Sequence, residues 1–308
     1  MKTNIFLYCI LGFIITMVFT TCGDGNSSSG GGGGGGNKNP PQSGSGNTHT
    51  GNYMLSVREG ENIIRKGEES DGEEVQLTGI SWDGTTKTLT LNNFSFTTSD
   101  FMALYLVDGG TIELNGTNTL KSTFNNSTRN QSYGIFTANN LTIQGSGSLT
   151  VTAGTVAESF GIHTLDSALT ISSATVNAQG GTASGAYGYS VGIYLENYLT
   201  TNSSVTITNG ATITATGAAA SFFSVGIAIA SIIGDGEEVL NLVNGTVTTT
   251  GLTYAIFNGS SFNRFYTVPN GIRYWVNTTT ANPGGAGTVS DGSFVINDTH
   301  KYARLQKL

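Results

Sequence analysis

Flat side chains recur at one position of a repeated segment in this sequence. The column consists of Tyr105, Phe136, His163, Tyr194 and Phe257, with Ala228 completing the set. If they occupy adjacent parallel strands, their rings lie about 4.8 Å apart. Such a row could stack on the faces of the pyranose rings of an extended polysaccharide. The same ladder could serve only to stabilise the strands, at roughly 0.2–1 kcal/mol per pair, and loops could cover it.

A strip of small residues lies two positions before the ring position in each segment. It consists of Ala103, Gly134, Gly161, Gly192, Gly226 and Ala255. Because side chains alternate along a strand, and the aliphatic residue between strip and ring faces the core, we expect the strip to point outward. It would then form a shallow trough beside the rings. Tyr187 and Tyr189, in the variable loop GGTASGAYGYS, could wall this trough or fold down onto the strands.

Groups for catalysis or metal binding are sparse in the sequence. Asp108, Asp166 and Glu196 recur near the turn after the ring position, where carboxylates could bind Ca²⁺. Asp and Asn are also favoured in tight turns, and this second interpretation is the simpler one. His163 and His300 do not form a histidine cluster with the acids, so no hydrolytic centre stands out. The sequence therefore favours a protein that is not an enzyme, with a polysaccharide lyase as a further alternative.

An internal repeat is the feature that would position these side chains. Six segments begin alike, at Met102, Tyr133, Phe160, Val191, Val225 and Tyr254, and they are 27 to 34 residues apart. Most carry three short strands, and insertions concentrate after the third strand. Stacked units of this length predict an all-β fold, a parallel β-helix of about six to seven coils, rather than an antiparallel sandwich.

One register of the first strand is aliphatic in every segment. It comprises Leu104, Ile135, Ile162, Ile193, Ile227 and Ile256, which we expect to fill the core. Residues 52–308 are predicted to form the domain, with 52–100 as the N-terminal cap and first strands, 101–259 as the coils and 260–308 as the C-terminal cap.

Composition and charge narrow the possible partners. Charged residues make up 11% of the 308 residues, and the formal net charge is −7. Nucleic-acid binding requires a basic surface, which this composition does not provide. No segment after residue 22 is apolar and long enough to span a bilayer. We expect a monomer.

The N-terminal sequence predicts export. Residues 1–21 have the pattern of a signal peptide, and Phe19-Thr20-Thr21-Cys22 resembles a relaxed bacterial lipobox. Cys22 is therefore predicted to be acylated, with residues 22–51 as a flexible Gly/Ser-rich linker. An ordinary signal peptide followed by a chance cysteine is the alternative. The expected location is the bacterial cell surface, as an outer-membrane or membrane-anchored lipoprotein attached through its lipid alone.

Several segments also resemble a known family. SWDGTTKTLTLNNFSF (81–96), the ALYL and TIELNGTNTL segments and YTVPNGIRYWVNTTT with HKYARL (266–305) are similar to bacterial surface proteins with a carbohydrate-binding domain and a pectate-lyase-like fold. The resemblance covers about residues 75–305 and implies a right-handed, single-stranded β-helix. It further implies binding of an acidic, pectin-like polysaccharide, with calcium as a possible aid and without clear lyase activity.

Together these observations predict a lipid-anchored surface protein that binds polysaccharide along the ring column. The alternative is a structural or adhesive protein that contacts host or matrix proteins.

Overall fold

The computed structural model describes residues 47–67, 72–126, 129–197, 204–231, 239–258, 266–297 and 299–308. These residues form 28 strands and no helix. The N-terminal strands are β1 (Asn47–Gly51), β2 (Leu55–Val57), β3 (Ile64–Lys66), β4 (Glu74–Val75) and β5 (Ile80–Asp83).

Six successive triplets of strands follow in the chain. They are β6 (Thr88–Asn92), β7 (Phe94–Thr98), β8 (Met102–Leu106); β9 (Gly110–Asn115), β10 (Thr117–Ser122), β11 (Gln131–Thr137); β12 (Leu141–Gln144), β13 (Ser148–Thr152), β14 (Glu158–Leu165); β15 (Leu169–Ser172), β16 (Thr175–Gln179), β17 (Tyr189–Asn197); β18 (Ser204–Thr208), β19 (Ala211–Thr216), β20 (Phe223–Ser231); β21 (Val239–Leu242), β22 (Gly245–Thr250), β23 (Tyr254–Asn258). The C-terminal strands are β24 (Tyr266–Thr267), β25 (Ile272–Asn277), β26 (Thr288–Val289), β27 (Val295–Ile296) and β28 (Tyr302–Lys307).

Each member of a triplet joins a different parallel sheet. The first members form sheet 1 (β6, β9, β12, β15, β18, β21), the second form sheet 2 (β7, β10, β13, β16, β19, β22) and the third form sheet 3 (β8, β11, β14, β17, β20, β23). Up to the last triplet, each strand therefore pairs in parallel with the strand three places later in the chain. The two intervening strands supply the long connection that a parallel pair requires. The predicted all-β fold with parallel sheets is confirmed.

The core lies between the sheets and follows the predicted aliphatic register. In sheet 3, Ile135 lies opposite Leu104 and Ile162, and the same column continues through Ile193, Ile227 and Ile256. All six residues are at most 1% exposed. Each such side chain stabilises the fold by roughly 1.5–3 kcal/mol relative to exposure.

Antiparallel strands occupy the outer rows of the sheets. β3 and β4 extend sheet 3 beyond β2, β5 pairs with β6 in sheet 1, and β28 and β25 follow β22 in sheet 2. These strands lie in the two segments predicted as caps. A sheet edge that is covered by antiparallel pairing offers fewer free backbone groups to another chain.

The linker prediction was too long at its C-terminal end. Residues 47–51 were assigned to the flexible linker, but they form β1, which pairs in parallel with β7. The Asn47 side-chain amide donates to Asn92 O at 2.6 Å, and His49 Nε2 lies 3.0 Å from Thr78 O. The predicted signal peptide, Cys22 and the linker up to residue 46 lie outside the described residues. Among the described residues, none forms a helix able to cross a membrane.

Candidate functional site

The predicted ring column lies on the outer face of sheet 3. Phe136 pairs with both Tyr105 and His163, His163 pairs with Tyr194, and Tyr194 pairs with Ala228, which pairs with Phe257. Tyr105, Phe136, Tyr194 and Phe257 are half-buried. His163, however, is only 4% exposed, and Ala228 is fully buried. The register of the column is as predicted, but its centre is more enclosed than an open ridge would be.

The strip of small residues does not face solvent, contrary to the prediction of a trough. Ala103 and Ala255 are fully buried in the main core. A Cβ added to Gly161 would lie 2.7 Å from Gln179 N, and one added to Gly192 would lie 2.5 Å from Thr216 N. The strip therefore packs against the ends of sheet 2 strands, where only small residues fit. The prediction was wrong because side chains do not strictly alternate at this point of the strand. Two consecutive positions, such as Gly134 and Ile135, both lie on the inner side of sheet 3.

A second column of outward side chains takes the place of the predicted trough. It consists of Met102, Tyr133, Phe160, Val191, Val225 and Tyr254. The first five residues, with Phe223 and Ala228, belong to a buried hydrophobic cluster separate from the main core. Tyr254 and the half-buried rings of the ring column pack against this cluster. Sequence reasoning missed this column because it begins each repeat and was assigned no face.

The two columns interlock rather than form one flat surface. Tyr133 stacks on Phe160 at 5.7 Å and 22°, and Phe160 stacks on Tyr194 at 5.1 Å and 18°. His163 stacks on Tyr194 at 4.9 Å and 29°, but it meets Phe136 edge-on at 63°. Offset and edge-to-face pairs of this kind contribute about 0.5–1.5 kcal/mol each beyond their buried area. Part of the ring surface therefore stabilises the sheet, and a ligand would meet the outer halves of the rings.

The loop tyrosines sit at one corner of this face. Tyr187 is 55% exposed and contacts the 40% exposed Phe222 at 6.2 Å between ring centroids. Tyr189 is half-buried and lies 5.5 Å from the Phe222 ring and 5.9 Å from the Phe223 ring. Tyr187 therefore projects outward, whereas Tyr189 is the first residue of β17 and packs against the Phe223 ring.

A column of buried serines fastens the corner loops to sheet 3. Ser132, Ser159, Ser190 and Ser224 lie in register and are fully buried. Ser159 Oγ donates to Gly154 O at 2.6 Å and accepts from Gly181 N at 2.7 Å, so it joins two successive loops. The sequence signal was the recurrent Ser-x-Gly-Ile, which starts one residue before the segments recognised as repeats. This column positions the loops that border the ring face.

One histidine and two glutamates lie on sheet 3 beside the rings. His163 Nε2 lies 3.2 Å from Glu196 Oε2, and both side chains are nearly buried, at 5% and 12% exposure. Glu158 lies on the same strand as His163 and accepts a hydrogen bond from Gln131 Nε2 at 3.2 Å. The pKa of Glu158 is raised from its ordinary value of 4.5 to about 7, chiefly by burial; the hydrogen bond from Gln131 acts against this rise, and the Glu196 carboxylate adds to it.

The three predicted calcium ligands do not form a site together. Asp108 accepts a hydrogen bond from Glu59 N at 2.9 Å, Asp166 adopts a left-handed turn with φ of 50°, and Glu196 contacts His163. The strand β11 and its turn separate the repeat of Asp108 from that of Asp166. Among the described residues, no three His, Cys, Asp or Glu side chains converge as metal ligands would. Turn formation accounts for Asp166, as the simpler interpretation predicted.

A family model described as "Carbohydrate-binding domain-containing protein" matches residues 66–191. The matched segment is less than half of the chain. No curated protein and no solved structure shows a significant match.

The matched segment contains Tyr105, Phe136, Glu158 and His163, whereas Tyr194 lies just beyond its end. It also contains most of a polar groove of about 340 Å³ at the loop corner of sheet 2. Lys121, Thr152 and Gln179 line that groove beside Gly154 and Gly181. Hydroxyl, amide and ammonium groups could hydrogen-bond to sugar hydroxyls, so the groove is a second possible contact region.

Proposed function

We propose that this protein binds polysaccharide, without catalysis, on the ring face of sheet 3. The observation that carries the proposal is the set of half-buried rings at Tyr105, Phe136 and Tyr194, most of which lie within the segment matched by a carbohydrate-binding family. Half-exposed aromatic rings can stack on the apolar faces of sugar rings while remaining anchored in the sheet.

The fold and the anchor are parts of the same proposal. We propose that the three parallel sheets wind as one right-handed, pectate-lyase-like β-helix, which would hold the rings at regular intervals along a rigid face. Acylation at Cys22 would attach this domain to the bacterial surface through a linker, and the domain would act as a monomer. An acidic, pectin-like polymer and assistance by calcium stay predictions from the resemblance.

Affinity electrophoresis in a panel of neutral and acidic polysaccharides tests the proposal. At least one polymer should retard the wild type, and a Phe136→Ala/Tyr194→Ala double variant should be retarded several-fold less. Calcium and EDTA arms with polygalacturonate test the metal. A Lys121→Ala/Gln179→Ala variant is the matched control, because both residues line the polar groove of sheet 2.

Three outcomes contradict this assignment. If no polymer retards the wild type, glycan binding is wrong. If the double ring variant folds and binds as tightly as the wild type, the ring face is not the site. If only the groove variant loses binding, the glycan site lies at the loop corner of sheet 2.

A surface that contacts other proteins is the second candidate function. It is favoured by the exposed corner at Tyr187 and Phe222, where Leu252 is also 47% exposed. Aromatic residues are enriched in the centres of protein interfaces. This alternative would be established by two results together. The wild type binds extracellular matrix proteins but no glycan, and a Tyr187→Ser/Phe222→Ser variant loses the binding to those proteins.

A further inference from the structure

We propose that the outer face of sheet 2, extended by β1, is an ice-binding surface. Its ligand is the ordered water lattice at the surface of an ice crystal. This activity goes beyond the proposed function and does not depend on it, because it uses a different sheet and different side chains from the ring face.

Hydroxyl side chains fill this face in straight columns across the strands. The first column is Thr48, Ser95, Thr119, Thr150, Asn177, Thr214 and Thr248, and the second is Thr50, Thr97, Lys121, Thr152, Gln179, Thr216 and Thr250. A third column crosses five strands and consists of Thr117, Ser148, Thr175, Thr212 and Thr246. Fourteen of these nineteen residues are threonine, and we call the set the hydroxyl face.

The hydroxyl face is open to solvent. All nineteen of its residues are exposed or half-buried. The residues between the columns point the other way, and Leu120, Val151, Ala178, Ile213 and Val247 are all fully buried in the core. Unlike sheet 3, sheet 2 therefore keeps strict alternation, which places the hydroxyl groups on one regular surface.

The spacing of the columns makes this surface a two-dimensional lattice. Neighbouring strands lie about 4.8 Å apart, and alternate residues of one strand lie about 6.6 Å apart. Repeat distances of this size also occur on the prism faces of ice. Thr250 Oγ1 donates to Thr216 Oγ1 at 3.2 Å, so hydroxyl groups of neighbouring strands are close enough to share hydrogen bonds. Each hydroxyl has one donor and two acceptor positions, and waters held between them would take up the spacing of the lattice.

The near absence of charge on this face is the second argument. Lys121 is the one charged residue among the nineteen, whereas a solvated surface of this size ordinarily carries about five or six. An ammonium or carboxylate group holds its own hydration shell, which would compete with a crystalline arrangement of water. The preference of β-strands for threonine explains the branched side chains but not the lack of charge. Because threonine is stiff at its first side-chain torsion, little entropy is lost when its hydroxyl is fixed against ice.

Sheet 1 provides an internal comparison. Its outer face also carries a threonine column, made of Thr88, Thr111, Thr142, Thr170 and Thr206. The neighbouring column is interrupted by Glu113, which accepts a hydrogen bond from Gln144 at 2.8 Å. A single row of hydroxyls repeats in one direction only, so sheet 1 does not offer the lattice that sheet 2 does. Threonines of sheet 1 are therefore matched controls.

Partition into a slowly growing ice hemisphere, together with thermal hysteresis, tests the proposal on the full chain. Serum albumin serves as a protein that ice excludes. The wild type should enter the ice and hold crystal growth below the melting point, whereas albumin should do neither. A Thr150→Lys/Thr214→Lys variant, which places charges on both sides of Asn177, should lose both properties at least several-fold. The single variants Thr150→Lys and Thr214→Lys are measured as well, and circular dichroism and urea unfolding identify the variants that fold.

The matched control is Thr142→Lys/Thr206→Lys, which places the same two charges on both sides of Thr170 on sheet 1. It should enter ice and show hysteresis as the wild type does. An equal loss in this control would overturn the assignment to sheet 2, and so would full activity in the folded sheet 2 variants. Exclusion of the wild type from ice, with no hysteresis, would overturn ice binding altogether.

The outcomes for ice and for glycan are separable. The Phe136→Ala/Tyr194→Ala variant should bind ice as the wild type does, and the Thr150→Lys/Thr214→Lys variant should keep the glycan retardation of the wild type. Failure of ice binding therefore leaves the proposed function intact, and failure of glycan binding leaves the hydroxyl face intact. Loss of ice binding in the ring variant would show that sheet 3, rather than sheet 2, meets the ice.

Discussion

Replacement of Glu158 by glutamine should stabilise the protein at neutral and alkaline pH. Glu158 is half-buried beside the rings of sheet 3, and Gln131 donates a hydrogen bond to its carboxylate at 3.2 Å. Burial, with the Glu196 carboxylate nearby, raises its pKa from an ordinary value of 4.5 to about 7. Glutamine has nearly the same shape, retains an oxygen that accepts from Gln131, and cannot ionise.

The direction of the pH effect follows from proton binding. Between pH 4.5 and about 7 the folded protein keeps the Glu158 proton, whereas the unfolded chain has lost it. The free energy of unfolding therefore falls as the pH rises through this window, by up to about 1.4 kcal/mol per pH unit. Above this window the contribution of Glu158 no longer changes with pH. A rise of the pKa from 4.5 to about 7 corresponds to roughly 3 kcal/mol as an upper value. Since the side chain is partly exposed, solvent screening reduces the expected loss to about 2 kcal/mol.

Urea unfolding at pH values from 4.5 to 8.5 measures this effect. The Glu158→Gln variant and the wild type should have similar stabilities near pH 4.5, and the variant should be about 2 kcal/mol more stable at pH 8. Glu113→Gln, which removes a carboxylate with the same kind of glutamine contact on sheet 1, isolates the effect of burial at Glu158. A constant difference between Glu158→Gln and the wild type across the pH range would refute the reasoning.

Other parts of the fold give three further predictions, each measurable by urea or thermal unfolding. Ser159→Ala should lower the free energy of unfolding by about 1–3 kcal/mol, because Gly154 O and Gly181 N lose a buried partner; the half-buried Ser148→Ala is its control, and an equal small loss in both would contradict the role of the serine column. Gly161→Ala should cost on the order of 2 kcal/mol or more through the close approach to the Gln179 backbone, and a neutral effect would show that the strip has room for side chains. Asn118→Ala should cost about 2 kcal/mol, because the buried amide accepts from a backbone N–H at 2.8 Å and donates to carbonyls of neighbouring turns; unchanged stability would mean that water replaces it.

The sequence by itself determined the repeat, the parallel sheets and the identity of the main core column. These features were readable because Leu104, Ile135 and Ile162 recur at one position, and stacking of similar segments in register brings equal positions together. The order of the rings followed for the same reason: Phe136 lies between Tyr105 and His163 in the sequence repeat and in the sheet alike.

Only the tertiary structure decided which way the small residues face and which charges meet. Gly134 and Gly161 have no side chain whose polarity would reveal a face, and simple alternation fails where two successive residues lie inside. Likewise, Glu196 on β17 contacts His163 on the neighbouring strand β14, whereas Glu158 lies at the other end of β14. The raised pKa of Glu158 depends on how deeply it is buried, and that depth is a property of packing between repeats rather than of any single repeat.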